Sequence, residues 1–311
     1  MARRDQPRKP KGARGGGQWQ PTPHADPNIS LGRHPSTMHD TALYGNILYS
    51  YTMPSFTDVQ LIESFHLLFL QALGSHRDQR WYALKGGANI RYFFGSPRYS
   101  NDIDLDVISK DGWQVGELVD NVLQGTALRV IARTAGIEVA DLSVSKQTDT
   151  TQRWKLGLRR LRSPGHPVRT KIEFSARVTT SDDVELSRVP DDIVAPYGIL
   201  SPVVQHYGLT AAIEQKIAAL ALRNATKARD VFDLDLLLRQ RRAKPAQTEP
   251  LATEYALAAA NKARSVGYAA YCSEVLPFID PEVLALYEQE DTWHTMREGV
   301  IRQLELLADA Q

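Results

Sequence analysis

The 311-residue sequence predicts an α+β chain in which a sheet domain precedes a helical one. Three observations carry that expectation. Apolar and polar residues alternate with period 2 in three stretches between residues 102 and 178. From Thr210 onward the period changes to 3.6, with Ile213, Ile217 and Leu220 on one stripe. Eleven Gly or Pro residues crowd the first 40 positions, where large apolar side chains are few, so burial there does not offset the entropy cost of ordering. The expected organisation is a disordered basic tail over 1–40, an α/β domain over 41–200 and a helical domain over 201–311.

With 42% apolar residues the chain can bury a large core. Lys plus Arg number 37 against 36 for Asp plus Glu, and a net charge of +1 excludes both a wholesale nucleic-acid coat and an acidic solvating chain. Basic charge collects at the start of the tail, where over residues 1–24 Arg3, Arg4, Arg8, Lys9, Lys11 and Arg14 face only Asp5. That tail reads as a solvated start, with an RNA tether through phosphates as the functional alternative. The single cysteine, Cys272, excludes an internal disulfide and a zinc knuckle and points to a reducing cytoplasm. No membrane span is expected, because the charge-free stretch 193–213 contains Pro196, Gly198, Pro202, Gln205, His206 and Gly208. The tail arginines precede no apolar h-region, so no secretory signal is expected.

The first helix starts near Phe56, capped by Thr57 or Asp58, with Val59, Ile62, Phe65, Phe69, Leu70 and Leu73 at helical spacing. A strand over Trp81–Lys85 leads into a turn at Gly86-Gly87-Ala88, and a helical stretch runs from Asn89 to Phe94. In DIDLDVI, residues 102–108, strand alternation places Asp102, Asp104 and Asp106 on one face and Ile103, Leu105 and Val107 on the other. A helix follows around Val115–Ala135. The segment Arg153–Arg160 alternates around Trp154, Leu156 and Leu158, and a turn over 163–167 leads to a strand over 168–178. That strand shows Thr170, Ile172 and Phe174 on one side and Arg169, Lys171, Glu173, Ser175 and Arg177 on the other. Later helices are separated by breaks at Pro245–Pro250 and Pro277–Pro281. Tyr271 and Trp293 on them read as core, with a partner or RNA surface as the alternative.

Asp102 and Asp104 project the same way, about 7 Å apart at the backbone, and can converge on a hard cation. Magnesium suits them, since it accepts one or two carboxylates and completes its shell with water and nucleotide phosphates. Glu173 becomes a third acidic group if its strand pairs beside the first, and would then ligate the ion that activates an attacking hydroxyl. Gly86-Gly87 lets a backbone approach a triphosphate without Cβ collision, and amides opening the next helix can donate to it. Lys216, with Arg223 at i+7, brings positive charge to one helix face; snorkelling at a helix edge is the plain alternative. Asp230 and Asp233 are neighbours at i, i+3 in a first turn, a placement that also suits the helix dipole.

The segment LKGGANIRYFFGSPRYSNDIDLDV, residues 84–107, resembles the signature of the AbiEii/AbiGii nucleotidyltransferase toxins. These are the toxin half of AbiE-type abortive-infection and toxin–antitoxin pairs, MenT-like proteins among them. KIEF at 171–174 is similar to the family's K-x-D/E element, while EQKIAAL at 214–220 and ARDVFDLDLLL at 228–238 resemble its lysine and R-D-x-x-D elements. The resemblance runs from about residue 56 to 240 and implies a DNA polymerase β-like nucleotidyltransferase fold. It makes Asp102, Asp104 and Glu173 ligands of Mg2+ or Mn2+, and places Lys85, Gly86, Gly87 and Ser100 at the nucleotide. Lys216 becomes the triphosphate contact, oriented by Asp230. Ala88 stands where the family commonly has Ser or Thr, leaving the phosphate grip to backbone amides.

The implied reaction is attack of a tRNA 3′-hydroxyl, or that of another RNA, on the α-phosphate of a nucleoside triphosphate. Asp104 or Glu173 is the nearest base, translation is blocked, and a cognate antitoxin holds the activity in check. Two alternatives stay open. An enzyme of the same fold would modify a protein or small molecule, a choice that depends on whether Arg91, Arg98, Arg153, Lys155, Arg159, Arg160 and Arg162 wall a basic groove. A non-catalytic RNA-binding module would use the tail instead.

Overall fold

The computed structural model describes residues 56–76, 79–108, 115–176, 183–243, 251–252 and 254–309. The tail over 1–40, the end of the second alternating strand at Arg177 and Val178, and the Pro245–Pro250 break lie outside the described residues. Helix α1, Asp58–His76, opens on a reciprocal cap. The Thr57 amide donates to Gln60 Oε1 at 2.9 Å, and the Gln60 amide donates back to Thr57 Oγ1 at 3.4 Å. From Leu61 to Leu70 every residue of this helix is buried, Glu63 and His66 included.

Strand β1, Tyr82–Lys85, runs directly into α2, Gly86–Phe93, so the expected turn is absorbed into the first helical residues. Gly86 makes this possible at φ +69°, in the left-handed region that side chains avoid. Strand β2, Asp102–Val107, follows. The helix expected over 115–135 is two, α3, Val115–Gln124, and α4, Thr126–Thr134, divided at Gly125, whose extended backbone caps α4. Next come β3, Ile137–Gln147, β4, Thr151–Arg160, and β5, Ser163–Ala176. Residues 163–167 are therefore strand and not the expected turn. Arg160 pairs with Ser163 but Leu158 pairs with Val168, and the extra residues, including Pro164 and Pro167, form a bulge where missing amide donors cost least.

After β6, Val184–Arg188, the short α5, Asp191–Val194, and β7, Val203–Tyr207, every remaining regular element among the described residues is helical. These are α6, Leu209–Leu222, α7, Ala228–Ala243, α8, Ala256–Arg264, α9, Tyr268–Glu274, and α10, Glu290–Asp309, with short 3-10 turns between. Strands β3, β6 and β7 complete the sheet beyond the four foreseen. Its order is β3-β4-β5-β2-β1-β7-β6, with β2 parallel to β5 and antiparallel to β1.

One core lies under the sheet. Ile103 and Leu105 of β2, Trp154, Leu156 and Leu158 of β4 and Ile172 and Phe174 of β5 pack with Phe65 and Phe69 of α1 and Val119 of α3. Each such side chain contributes roughly 1.5–3 kcal/mol by leaving water. A second core joins Ile213, Ile217 and Leu220 to Val231, Phe232 and Leu234, and includes Ile90 of α2. Tyr271 and Trp293 sit fully buried within it, rings stacked 4.6 Å apart, so they form no exposed partner surface. The loop before β2 stitches the two cores together, since the Tyr99 amide donates to Phe278 O at 2.7 Å and the Asp280 amide to Pro97 O at 2.9 Å. Among the described residues no helix is long and apolar enough to cross a membrane.

Candidate active site

Alternation along β2 turns Ile103 and Leu105 into the core and leaves Asp102 and Asp104 on the opposite face. The parallel ladder to β5 then sets Lys171 opposite Asp102 and Glu173 opposite Asp104. Across the other ladder Lys85 is the partner of Asp104. Three neighbouring strands thus deliver the acidic pair, the third carboxylate and two lysines to one patch.

A cavity of about 280 Å³ opens over this patch. Lys85, Gly86, Gly87, Ser100, Asp102, Asp104, Glu173 and Lys216 all line it, so eight of the nine expected site residues meet around one space. The ninth, Asp230, stands behind Lys216, accepting from its ammonium at 3.0 Å. Glycine is required where the backbone comes closest. A Cβ on Gly86 would lie 3.0 Å from Asp104 Oδ2, and one on Gly87 would lie 2.8 Å from Ser100 Oγ and 2.9 Å from Arg98 Nη2. Ser100 is itself fixed, donating to Asp102 O at 2.8 Å. Ala88 is buried in the first core and does not line the cavity, so its lack of a hydroxyl removes nothing from the cavity wall.

The carboxylates are matched by cations with different degrees of commitment. Lys171 Nζ lies 3.2 Å from Asp102 Oδ2, 3.8 Å from Asp104 Oδ1 and 3.6 Å from Glu173 Oε2. Arg153 grips Glu173 Oε2 with Nε and Nη2, each at 2.6 Å. Burial pushes the Asp104 carboxyl above its ordinary range; Lys171 opposes that, and Asp102 and Glu173 add to it. For Glu173 burial also pushes upward, but the hydrogen bond from Arg153 and the charge of Lys171 outweigh it and hold the group low. Burial pulls the Lys171 ammonium down, yet the surrounding carboxylates win and raise it. Among the described residues no three His, Cys, Asp or Glu side chains are arranged to hold a metal ion by themselves; Lys171 stands among these three instead.

The third aspartate of the strand has another task. Asp106 is fully buried, pairs with the Lys85 ammonium and accepts from Tyr207 Oη at 2.8 Å. Lys85 also donates to Ser175 Oγ at 3.3 Å. Asn89 donates to Tyr207 O at 3.0 Å, and its buried Oδ1, on a residue that lines the cavity, accepts from no described group.

Along the cavity wall and behind it lies a charge cluster in which sequence reasoning had given site roles to Lys216 and Asp230 but not to Arg98 or Asp233. Arg98, only 4% exposed, donates to Asp233 through Nε at 3.1 Å and Nη2 at 2.9 Å. Lys216 Nζ is 2.6 Å from Asp233 Oδ2 and 3.0 Å from Asp230 Oδ1, and Arg223 closes the cluster 3.2 Å from Asp230 Oδ2. Burial raises the Asp233 carboxyl, but Arg98 and Lys216 overcome this and leave it below its usual range. Helical spacing displayed Asp233 beside Asp230, whereas nothing local marks Arg98 as its partner. Arg229 also lines the cavity.

The seven cations on which a basic groove would depend are scattered in their contacts. Arg91 is bound to Glu63 and Arg160 to Phe56 O and Asp58, while Arg159 faces Glu138. Lys155 and Arg162 are exposed, and only Arg98 and Arg153 reach the cavity.

The family model of the nucleotidyl transferase AbiEii toxin, type IV toxin–antitoxin system, matches residues 68–310. Among solved structures the chain is similar to JHP933 from Helicobacter pylori, with 18% identity, a TM-score of 0.51, and coverage of 82% of this chain and 97% of that one. It is similar also to MenT4, a nucleotidyltransferase toxin from Mycobacterium tuberculosis H37Rv, with 18% identity, a TM-score of 0.44, and coverage of 81% of this chain and 93% of that one. No curated protein matches the chain.

Proposed function

Because the chain belongs to the AbiEii family, the nucleotidyltransferase toxins of type IV toxin–antitoxin systems, we propose that it transfers a nucleotide from a nucleoside triphosphate to the 3′ end of tRNA. The family makes it a nucleotidyltransferase with a cognate antitoxin. The observation that carries the finer reading is the meeting of Asp102, Asp104 and Glu173 with Gly86-Gly87, Lys216 and Arg229 around one cavity. Such a space brings together carboxylates, which can hold a metal ion, and cations, which can hold a triphosphate. The same arrangement, an acidic pair on β2 flanked by β1 and β5, supports a DNA polymerase β-like sheet, with the helices after β7 as its second part.

Mg2+ or Mn2+ fits the acidic end. Asp102 and Asp104 both lie within 4 Å of one ammonium, showing that they can share a cation, and magnesium needs only one or two carboxylates when phosphates and water complete its shell. Glu173, across the ladder from Asp104, is the third carboxylate of the set. When bound, the ion lowers the pKa of the attacking hydroxyl and absorbs charge on departing pyrophosphate. The chain supplies the rest. Gly86 and Gly87 admit the phosphate chain, Lys216 neutralises it from a position fixed by Asp230 and Asp233, and Lys85 is aimed by Asp106. The lone Cys272 carries no disulfide, in keeping with action in the cytoplasm.

Incubating the full chain with labelled nucleoside triphosphates, Mg2+ and total tRNA tests this reading. Label in RNA is the expected result, abolished by Asp102→Ala or Asp104→Ala. Label in protein or a small molecule would assign a different acceptor, and an active Asp104→Ala would remove the site assignment.

A further inference from the structure

Taking the metal-dependent reading above as its basis, we infer that Lys171 is a resident counter-cation that occupies the metal position and must leave before an ion binds. Its ammonium is within 4 Å of all three carboxylates, an arrangement dictated by the β2–β5 register and by its spacing of two residues from Glu173 on the same strand face. Among the described residues the other cations beside the patch are engaged elsewhere. Arg153 is held on Glu173, and Lys85 is committed to the fully buried Asp106. Asp102 and Asp104, like charges two residues apart on one strand, therefore rely chiefly on Lys171 for neutralisation, with Lys85 adding a weaker attraction for Asp104.

The same geometry makes the lysine displaceable. Its side chain is 26% exposed, against 10% for Lys216, which is locked between two aspartates. A flexible four-carbon stem lets the ammonium swing away at little cost. Magnesium bonds its oxygen ligands at about 2.0–2.1 Å, so an ion shared by Asp102 and Asp104 would crowd and repel a neighbouring ammonium. A lysine that leaves loses up to three anionic partners and needs a replacement. Phosphate oxygens of a nucleotide in the same cavity provide one. Metal alone should thus bind poorly, and nucleotide should strengthen metal binding by giving Lys171 somewhere to go, a coupling that is reciprocal.

The test is titration of the full chain with Mn2+, following loss of the free-ion electron paramagnetic resonance signal, with and without a non-hydrolysable nucleoside triphosphate analogue. Without nucleotide, Lys171→Met should bind Mn2+ about tenfold or more tightly than the wild type, because a competing charge is gone. Lys171→Arg, which keeps the charge, should stay close to the wild type. The analogue should tighten Mn2+ binding more in the wild type than in Lys171→Met. In metal-free buffer Lys171→Met should melt below the wild type, and Mn2+ should recover the difference, a result that also verifies folding. Equal or weaker Mn2+ binding by Lys171→Met, with wild-type binding that Asp102→Asn abolishes, overturns the role of Lys171 and leaves the metal reading standing. No Mn2+ binding by any variant, even with nucleotide, overturns both.

Discussion

Asp233 is the residue whose loss should cost the molecule most for a single change outside the apolar core. It is fully buried and serves two buried cations at once, taking a forked contact from Arg98 and a 2.6 Å contact from Lys216. In Asp233→Ala, Lys216 retains Asp230, but among the described residues the Arg98 guanidinium keeps only its donation to Tyr99 O. Removing one partner from a buried pair costs roughly 3–5 kcal/mol, since the other charge stays desolvated without compensation. At about 2–4 °C per kcal/mol for a domain of this size, melting should fall by roughly 6–20 °C. A double variant, Arg98→Met with Asp233→Leu, should recover much of the loss, because replacing both members by apolar side chains removes the desolvated charge. Acid provides a second check. The carboxyl of Asp233 is held below its unfolded range, so its contribution is complete above that range and is lost as pH falls through the folded value. The gap between wild type and Asp233→Ala should therefore stay constant near neutrality and close only below about pH 4. Calorimetric melts at several pH values decide the matter; a single variant melting within about 2 °C of the wild type would refute a load shared across this cluster.

Three further changes probe other parts of the structure. Gly86→Ala places a side chain at φ +69° and its Cβ 3.0 Å from Asp104 Oδ2, so stability should drop by about 1–2 kcal/mol and labelled transfer by tenfold or more; unchanged transfer would show that Asp104 tolerates displacement. Burial holds His66 at about 3 and His206 at about 4, below the unfolded value, so each stabilises fully above about pH 6.5 and loses about 2 kcal/mol or less by pH 5. In His66→Gln that acid loss should shrink by about half, and identical pH–melting curves for the two proteins would contradict the assignment. Tyr207→Phe removes a 2.8 Å donor from buried Asp106 and should cost about 1.5–3 kcal/mol in urea unfolding; a neutral result would mean that the remaining partners of Asp106, Lys85 among them, satisfy the carboxylate.

Sequence pattern revealed elements whose two faces differ sharply. DIDLDVI could be read because its carboxylates and branched aliphatics alternate strictly, and a cap at Thr57 or Asp58 because either residue type suits that position; that Gln60 completes the cap with Thr57 emerged only from the structure. Strand β7, VVQHY, escaped because Val204 to Tyr207 are buried in succession and show no alternation. Strand β3 escaped for the opposite reason, since most of it is exposed and two register shifts interrupt its period. At the site, spacing and family resemblance brought eight residues to one cavity. They gave no hint of Arg98 with Asp233, which lie 135 positions apart. Lys171 was visible as a neighbour of Glu173, but its role depends on which strand β5 pairs with and in what register.

Two sets of charges, close in space, are built for opposite purposes, and burial separates them. Around Asp233 the cations are nearly enclosed, so exchanging any partner would strand a charge away from water; the cluster can only hold the helices to the sheet and keep Lys216 at the cavity. Around Asp102 and Asp104 the groups remain 26–33% exposed, so water screens the pairs and makes replacement of one cation by another inexpensive. On the metal-dependent reading proposed above, transfer from a triphosphate needs both conditions around one cavity: fixed positive charge where phosphate is positioned, and exchangeable charge where a metal enters and leaves. The fold meets them by setting the first between α6, α7 and the loop before β2, and the second on the open face of β2 and β5. Exchanging the two environments, for example by burying Lys171 beneath an added aromatic side chain, would convert the proposed loading position into another permanent ion pair.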